Sequence, residues 1–193
     1  MFAFPELKFP HNAIPNFASE ESLKRHHLEH KRYVDILNKM LDEKTRGEDI
    51  AVTLGKMSSV IESSRPIVRN YGGGHYNHNM FWSILTNKKT ELKGSLLEAI
   101  KTSCGNVENF MRAFTQAAVS KFGSGWVWLT KHNNKLIVET TSNNDNPVME
   151  WRQPIMCLDL WEHSYFPQTR EEYVKNFWDV VDWDQVDKNY NSK

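Results

Sequence analysis

An α+β fold follows from three features of the sequence. The first half carries long runs with apolar residues at three- and four-residue steps, the period of a half-buried helix. In the second half two strand-like runs, "GWVWLTK" and "KLIVETT", are joined by "HNN", which reads as a β-hairpin. A third apolar run, "PIMCLDL", reads as another strand, after which helix-forming sequence returns. Helices, a short antiparallel sheet of three strands, then helices again predict a helical-hairpin lobe over residues 1–88 and an α+β lobe over residues 89–193.

Each element has its own signal. Ser19 caps the first helix and Glu20 and Glu21 fall in its first turn, where the helix dipole favours acids. Leu23, His27, His30, Val34, Leu37 and Leu41 then mark one buried face, and "TRGED" at 45–49 closes the helix with a turn. "AVTLGKMSSVIESS" (51–64) predicts a second, shorter helix ending near Arg65-Pro66, because the residue before a proline is pushed out of the helical region. "IVRNYGGGHYNHNMFWSIL" (67–85) is helical in pattern but interrupted by three glycines. "SLLEAIKTSCG" and "NVENFMRAFTQAAVSKFG" each predict a helix with a glycine stop, and "REEYVKNFWDVVDW" predicts the last one.

Composition narrows the function. Lys+Arg and Asp+Glu balance at 24 each, so charge points to neither nucleic acid nor an anionic membrane surface. No apolar run approaches the ~20 residues of a membrane span, and "MFAFPELKFP" lacks the layout of a secretion signal. Two isolated cysteines, Cys104 and Cys157, make neither a disulfide framework nor a thiolate metal site. A reducing compartment is expected, either a bacterial cytoplasm or the mitochondrial matrix. The informative excesses are seven Trp and eight His.

The histidines are spaced for convergence. His26 and His30 stand four apart and Tyr33 follows three later, so all three share one helical face. His75 and His78 are three apart, and Asp159 and His163 four apart within "LDLWEHSYF". Imidazoles and one carboxylate from distant segments make a nitrogen/oxygen site that suits iron or manganese, with catalytic zinc as an alternative. With one carboxylate among several imidazoles, a bound ion stays net positive and fits a small anionic ligand. Taken alone, each of these histidines is more often a hydrogen-bonded core or surface residue than a ligand, and Asp159 alone is more often a cap or a salt-bridge partner.

"GGGHYNHNMFW" (72–82), "FGSGWVWL" (122–129) and "LDLWEHSYF" (158–166), in this order, resemble the iron/manganese superoxide dismutase family, with "LKFPHNAI" and "FWDVVDW" in support. The resemblance implies a helical N-terminal lobe and a C-terminal lobe with a three-stranded antiparallel sheet. It implies one manganese or iron ion per subunit, held by His26, His78, Asp159 and His163 with a solvent molecule as fifth ligand, His75 being a non-ligand neighbour. Trp126, Trp128 and Trp161 match the family's aromatic wall, and His30, Tyr33, Asn144 and Arg170 match its outer catalytic residues. Glu162, Ser124 and Phe166 match positions at a subunit interface, which implies a homodimer or tetramer. The implied reaction turns superoxide into dioxygen and hydrogen peroxide, and the "GGGH" context with the glutamine-like position at Asn144 looks manganese-like.

Four departures from the family pattern bear on that reading. "HLEHKRYV" is one residue short between His30 and Tyr33, which turns a side chain by about 100° in a regular helix, so either Tyr33 is displaced or the helix lacks a bulge. Asn144 is shorter than the usual glutamine, Phe166 replaces a tyrosine, and the segment before Arg170 is short, which leaves that assignment open. All four lie outside the implied ligands. An inactive structural subunit of the same fold, of the kind found in mitochondrial ribosomes, is the alternative.

Overall fold

The computed structural model describes residues 1–192. Helix α1 (Glu20–Met40) is capped by Ser19, whose hydroxyl accepts from Ser22 N at 3.1 Å. It turns its apolar face and three buried histidines inward. Two short helices follow, α2 (Glu43–Arg46) and α3 (Ile50–Gly55). Arg46 therefore ends an extra helical turn where only a loop is expected. The helix expected over 51–64 stops at Gly55 and gives way to 3-10 turns at Met57–Ser59 and Glu62–Ser64. Its apolar residues are too sparse after Leu54 to bury a continuous face, and Ile61 is 66% exposed.

The segment with three glycines is not broken. Helix α4 (Arg65–Ile67) runs through a π-helical turn, Val68–Gly72, into α5 (Gly73–Ser83). The glycines are needed for close approach. A side chain at Gly74 would lie 2.7 Å from the Tyr33 ring, and one at Gly73 would run into the Asn144 carbonyl.

Helices α6 (Gly94–Cys104) and α7 (Val107–Ser120) lead to strands β1 (Gly125–His132), β2 (Lys135–Ser142) and β3 (Gln153–Asp159). The sheet is antiparallel throughout with order β2-β1-β3, so β1 is central, and all but the last two of its residues are buried. Opposite Trp126 on β1 stands Asp159, the last residue of β3. The single final helix expected over 170–183 is divided. After a one-turn α8 (Glu162–Tyr165), α9 (Arg170–Phe177) and α10 (Trp183–Asn191) flank an extended piece in which Val181 bridges to Leu85.

One large core joins the two halves, from Phe9, Phe17 and Leu23 through Phe81 and Trp82 to the sheet, α7 and α9. A smaller cluster of Leu37, Leu41, Ile50, Leu54 and Val68 fills the outer end of the helical half. Among the described residues, no helix is long and apolar enough to cross a membrane.

Candidate metal centre

Four elements send a donor to one point where the two halves meet. His26 comes from the second turn of α1, His78 from the middle of α5, Asp159 from the end of β3 and His163 from α8. Asp159 Oδ1 accepts from Trp161 N at 2.8 Å, a local side-chain turn that ends the strand and starts the chain toward α8. His163 is thereby turned back toward the carboxylate four residues before it.

One donor atom from each residue lies within 4.8 Å of every other. His26 Nε2 is 3.0 Å from Asp159 Oδ2 and 3.1 Å from His78 Nε2. His78 Nε2 and His163 Nε2 stand 3.6 and 3.8 Å from the same oxygen. His78 Nδ1 donates to the Gly74 carbonyl at 2.7 Å, so the neutral ring turns a lone pair into the cluster from Nε2. His163 Nε2 is buried with no hydrogen-bond partner. A cation is the group that these facing lone pairs and one buried carboxylate fit, and three nitrogens with one oxygen suit manganese or iron.

The electrostatics agree. Burial pushes the Asp159 carboxyl up, but the hydrogen bond from His26 and the neighbouring imidazoles outweigh it and hold the group below its ordinary 3.8. Burial pulls His78 down to about 3, helped by His26, and lowers His163. The centre thus has an ionised acid beside two readily deprotonated imidazoles, His78 and His163, the states that bind metal.

Around this cluster the polar groups are matched to one another. Trp82 Nε1 donates to His30 Nδ1 at 3.1 Å, so the neutral His30 carries its proton on Nε2, 2.8 Å from His75 Nδ1. The His30 ring stacks on His78 with centroids 5.2 Å apart. Burial pushes His30 far below its ordinary value and brings His75 to about 4. α1 is a regular α-helix through the shortened segment and has no bulge. Tyr33, seven residues after His26, therefore stays on the inner face, 6% exposed, with its ring 5.5 Å from His78. Burial pushes its phenol up to about 12, against the opposing pull of the Asn144 amide. Asn144 itself donates from Nδ2 to the Asn70 carbonyl in the π-turn at 3.0 Å and accepts from Trp126 Nε1 at 3.4 Å.

The remaining predicted residues lie at graded distances. Trp126 packs edge-on to His78 at 5.1 Å, Trp161 lies 5.7 Å from His163, and Trp128 stands behind Trp126, its indole donating to Thr141 Oγ1. His75 bonds His30 and stays out of the donor set. Arg170 is held by four hydrogen bonds. Its guanidinium donates to the carbonyls of Lys121, Gly123 and Leu160 and to Tyr165 Oη, pinning the loop before β1 to the start of α8. Glu162 and Phe166 are exposed and Ser124 is half-buried. Sequence reasoning passed over Trp82, Phe81 and Ser164. Trp82 lies 4.7 Å from the His26 ring, Phe81 5.5 Å from it, and Ser164 Oγ 3.4 Å from His26 Nε2. Trp82 stands one helical turn after His78, and that spacing was the available signal.

Comparison with known proteins agrees with this geometry. Residues 1–86 match the alpha-hairpin domain of iron/manganese superoxide dismutases, and residues 92–189 match the C-terminal domain of the same enzymes. The chain is 39% identical over 196 residues to a superoxide dismutase [Mn/Fe] from Methylomonas sp. (strain J), covering 98% of this chain and 97% of the relative. With the four donors intact and converged, the structural-subunit alternative is not favoured. The chain belongs to the iron/manganese superoxide dismutase family, an oxidoreductase whose substrate is superoxide and whose cofactor is one manganese or iron ion.

Proposed function

We propose that His26, His78, Asp159 and His163 hold that ion, and that Tyr33, His30 and Asn144 serve the proton side of the reaction. The buried, partnerless Nε2 of His163 facing Asp159 is the observation that carries this reading. One-electron oxidation and reduction of successive superoxide anions is the chemistry the ion supplies when bound, giving dioxygen and hydrogen peroxide. The second product needs two protons. Tyr33, pushed up to about 12, keeps its phenol proton at neutral pH beside His78, and the Asn144 amide, held by Asn70 and Trp126, is the polar group set to orient that hydroxyl. Trp82, Trp126 and Trp161 exclude water and stiffen the rings they touch. Asp159 contributes the only negative charge, leaving the centre attractive to an anion.

The assembly we propose is a homodimer through the face that carries Ser124, Glu162 and Phe166. Phe122, 97% exposed, and Phe166, 56% exposed, lie in segments that Arg170 ties together and supply apolar surface for a partner. Sedimentation of the purified protein reads this directly, a monomer counting against it.

The decisive experiment is superoxide dismutation by the protein as isolated and after separate reconstitution with manganese and iron, with metal quantified on each sample. Activity that tracks bound metal is expected, and the more active form names the preferred ion. Full metal occupancy without turnover would remove the roles given to Tyr33, His30 and Asn144.

A further inference from the structure

The segment Phe2–Pro5 lies across α1 and closes over the His30–His75 pair. It is held at two places. Phe2 N donates to Asn38 Oδ1 and Asn38 Nδ2 donates to the Phe2 carbonyl, both at 2.9 Å. His27 Nε2 donates to the Pro5 carbonyl at 2.9 Å. Between these anchors the two aromatic side chains turn inward. Phe2 meets His75 edge-on with centroids 5.6 Å apart, and Phe4 lies 4.3 Å from His27 and 5.6 Å from His30. Both phenylalanines are half-buried, whereas His30 is 0% and His75 3% exposed.

What they cover is a directed hydrogen-bond chain. The Trp82 indole can only donate, so His30 Nδ1 is an acceptor and His30 Nε2–H points to His75 Nδ1. His75 in turn carries its proton on Nε2, 3.2 Å from the Asn79 amide, which presents its oxygen by a half-turn. Water reaching this pair would compete for His75 Nδ1 and release His30 from its single tautomer and orientation. Because the His30 ring stacks on His78, that loosening would reach the donor cluster.

We propose that Phe2 and Phe4 are positioning residues for the dismutase reaction, a dry aromatic strap that holds the Trp82–His30–His75 chain in one arrangement beside His78. Both nitrogens of His30 are thereby satisfied within one chain, with no group needed from a partner subunit.

The effect on turnover rests on the metal-centre reading; the effect on solvent access does not. The test measures deuterium exchange at the imidazole C2–H of His30 and His75, residue by residue by mass spectrometry, on the metal-loaded protein and its Phe2→Ala, Phe4→Ala and Asn38→Ala variants. Asn38→Ala frees the strap without shortening either ring, and it keeps the test open if a phenylalanine variant does not fold. Exchange at both histidines is expected to accelerate severalfold in all three, with metal content unchanged. Turnover should fall by roughly tenfold, the low end for loss of an outer partner, and Phe4→Leu, which refills the space, should restore both readings. Unchanged exchange in Phe4→Ala and Asn38→Ala overturns the proposal, as does faster exchange with undiminished turnover. Parent protein that binds metal and turns over, with variants indistinguishable from it, overturns this proposal alone and leaves the centre standing.

Discussion

Two nested sets of polar side chains meet inside this chain, and they differ in how their hydrogen-bonding capacity is spent. In the outer set, His30, His75, Trp82, Asn144 and Trp126 each have a partner, and each bond runs from an unambiguous donor to an acceptor or can be set so by a half-turn. In the inner set, the Nε2 atoms of His26, His78 and His163 crowd around one carboxylate oxygen across gaps of 3.0–3.8 Å, and one of these nitrogens has no hydrogen-bond partner at all. Burying unmatched polar atoms is costly, and several at one point with a single negative charge are what a cation repays. The satisfied set is a frame, and the unsatisfied set is a binding site.

Removing a donor from each set should therefore fail in different ways. Asp159→Ala takes away the only anion, and three neutral imidazoles are left to hold a cation. Metal content and turnover are both expected to drop to background. His30→Ala leaves all four donors in place, so metal should stay while turnover falls by roughly 10–100-fold, as for other outer partners. Equal loss of metal in the two variants would erase the distinction between frame and site.

A smaller effect comes from pressing on the frame without deleting any polar group. A methyl at Gly74 would sit 2.7 Å from Tyr33 Cδ2 and Cε2 and 3.0 Å from Asn144 Nδ2. Gly74→Ala must push both away from their present places, at a cost of about 1–3 kcal/mol for an overpacked core. Turnover should fall with metal retained, and urea unfolding should read the lost stability. Gly55→Ala is the control, since its new carbon meets nothing nearer than 3.6 Å. If the two variants behave alike, the contact of Gly74 with Tyr33 is not what matters.

The same contrast explains how far the sequence could be read. Periodicity and turn chemistry were enough for α1, which buries one regular face, and for the hairpin and the third strand, which are short apolar runs bounded by turn residues. They were not enough where tertiary contacts decide. The 51–64 region lacks a continuous apolar face and breaks into 3-10 turns, and the 170–183 run divides because Val181 leaves the helix to bridge Leu85. The glycines of 72–74 looked like an interruption, yet they are required by Tyr33, Ile50 and the Asn144 carbonyl, none of them nearby in sequence. Donor residues were legible through their spacing and the "LDLWEHSYF" context. The frame was less so: nothing local says that His75 would bond His30, or that Phe2 and Phe4 would fold back over both.

The smallest expected effect separates the frame from the site by pH. Burial pushes His75 from its ordinary 6.5 down to about 4, and His27 and His30 move in the same direction for the same reason. The folded-state values are depressed, so as pH falls below 6.5 the unfolded chain takes up these protons before the folded one does. Stability tied to them is fully present above 6.5 and lost as pH falls toward about 4. Asp159 has its folded value held below 3.8, so its contribution is lost only at still lower pH. For metal-free protein, His75 alone should remove about 1 kcal/mol between pH 7.5 and pH 5.5, read as a lower urea midpoint at the same m-value. His75→Asn is expected to be less stable at both pH values but to show a shallower pH dependence, because the proton uptake has gone with the imidazole. The slope is therefore the reading that matters, and an undiminished slope in the variant would mean that His75 does not stay neutral in the fold.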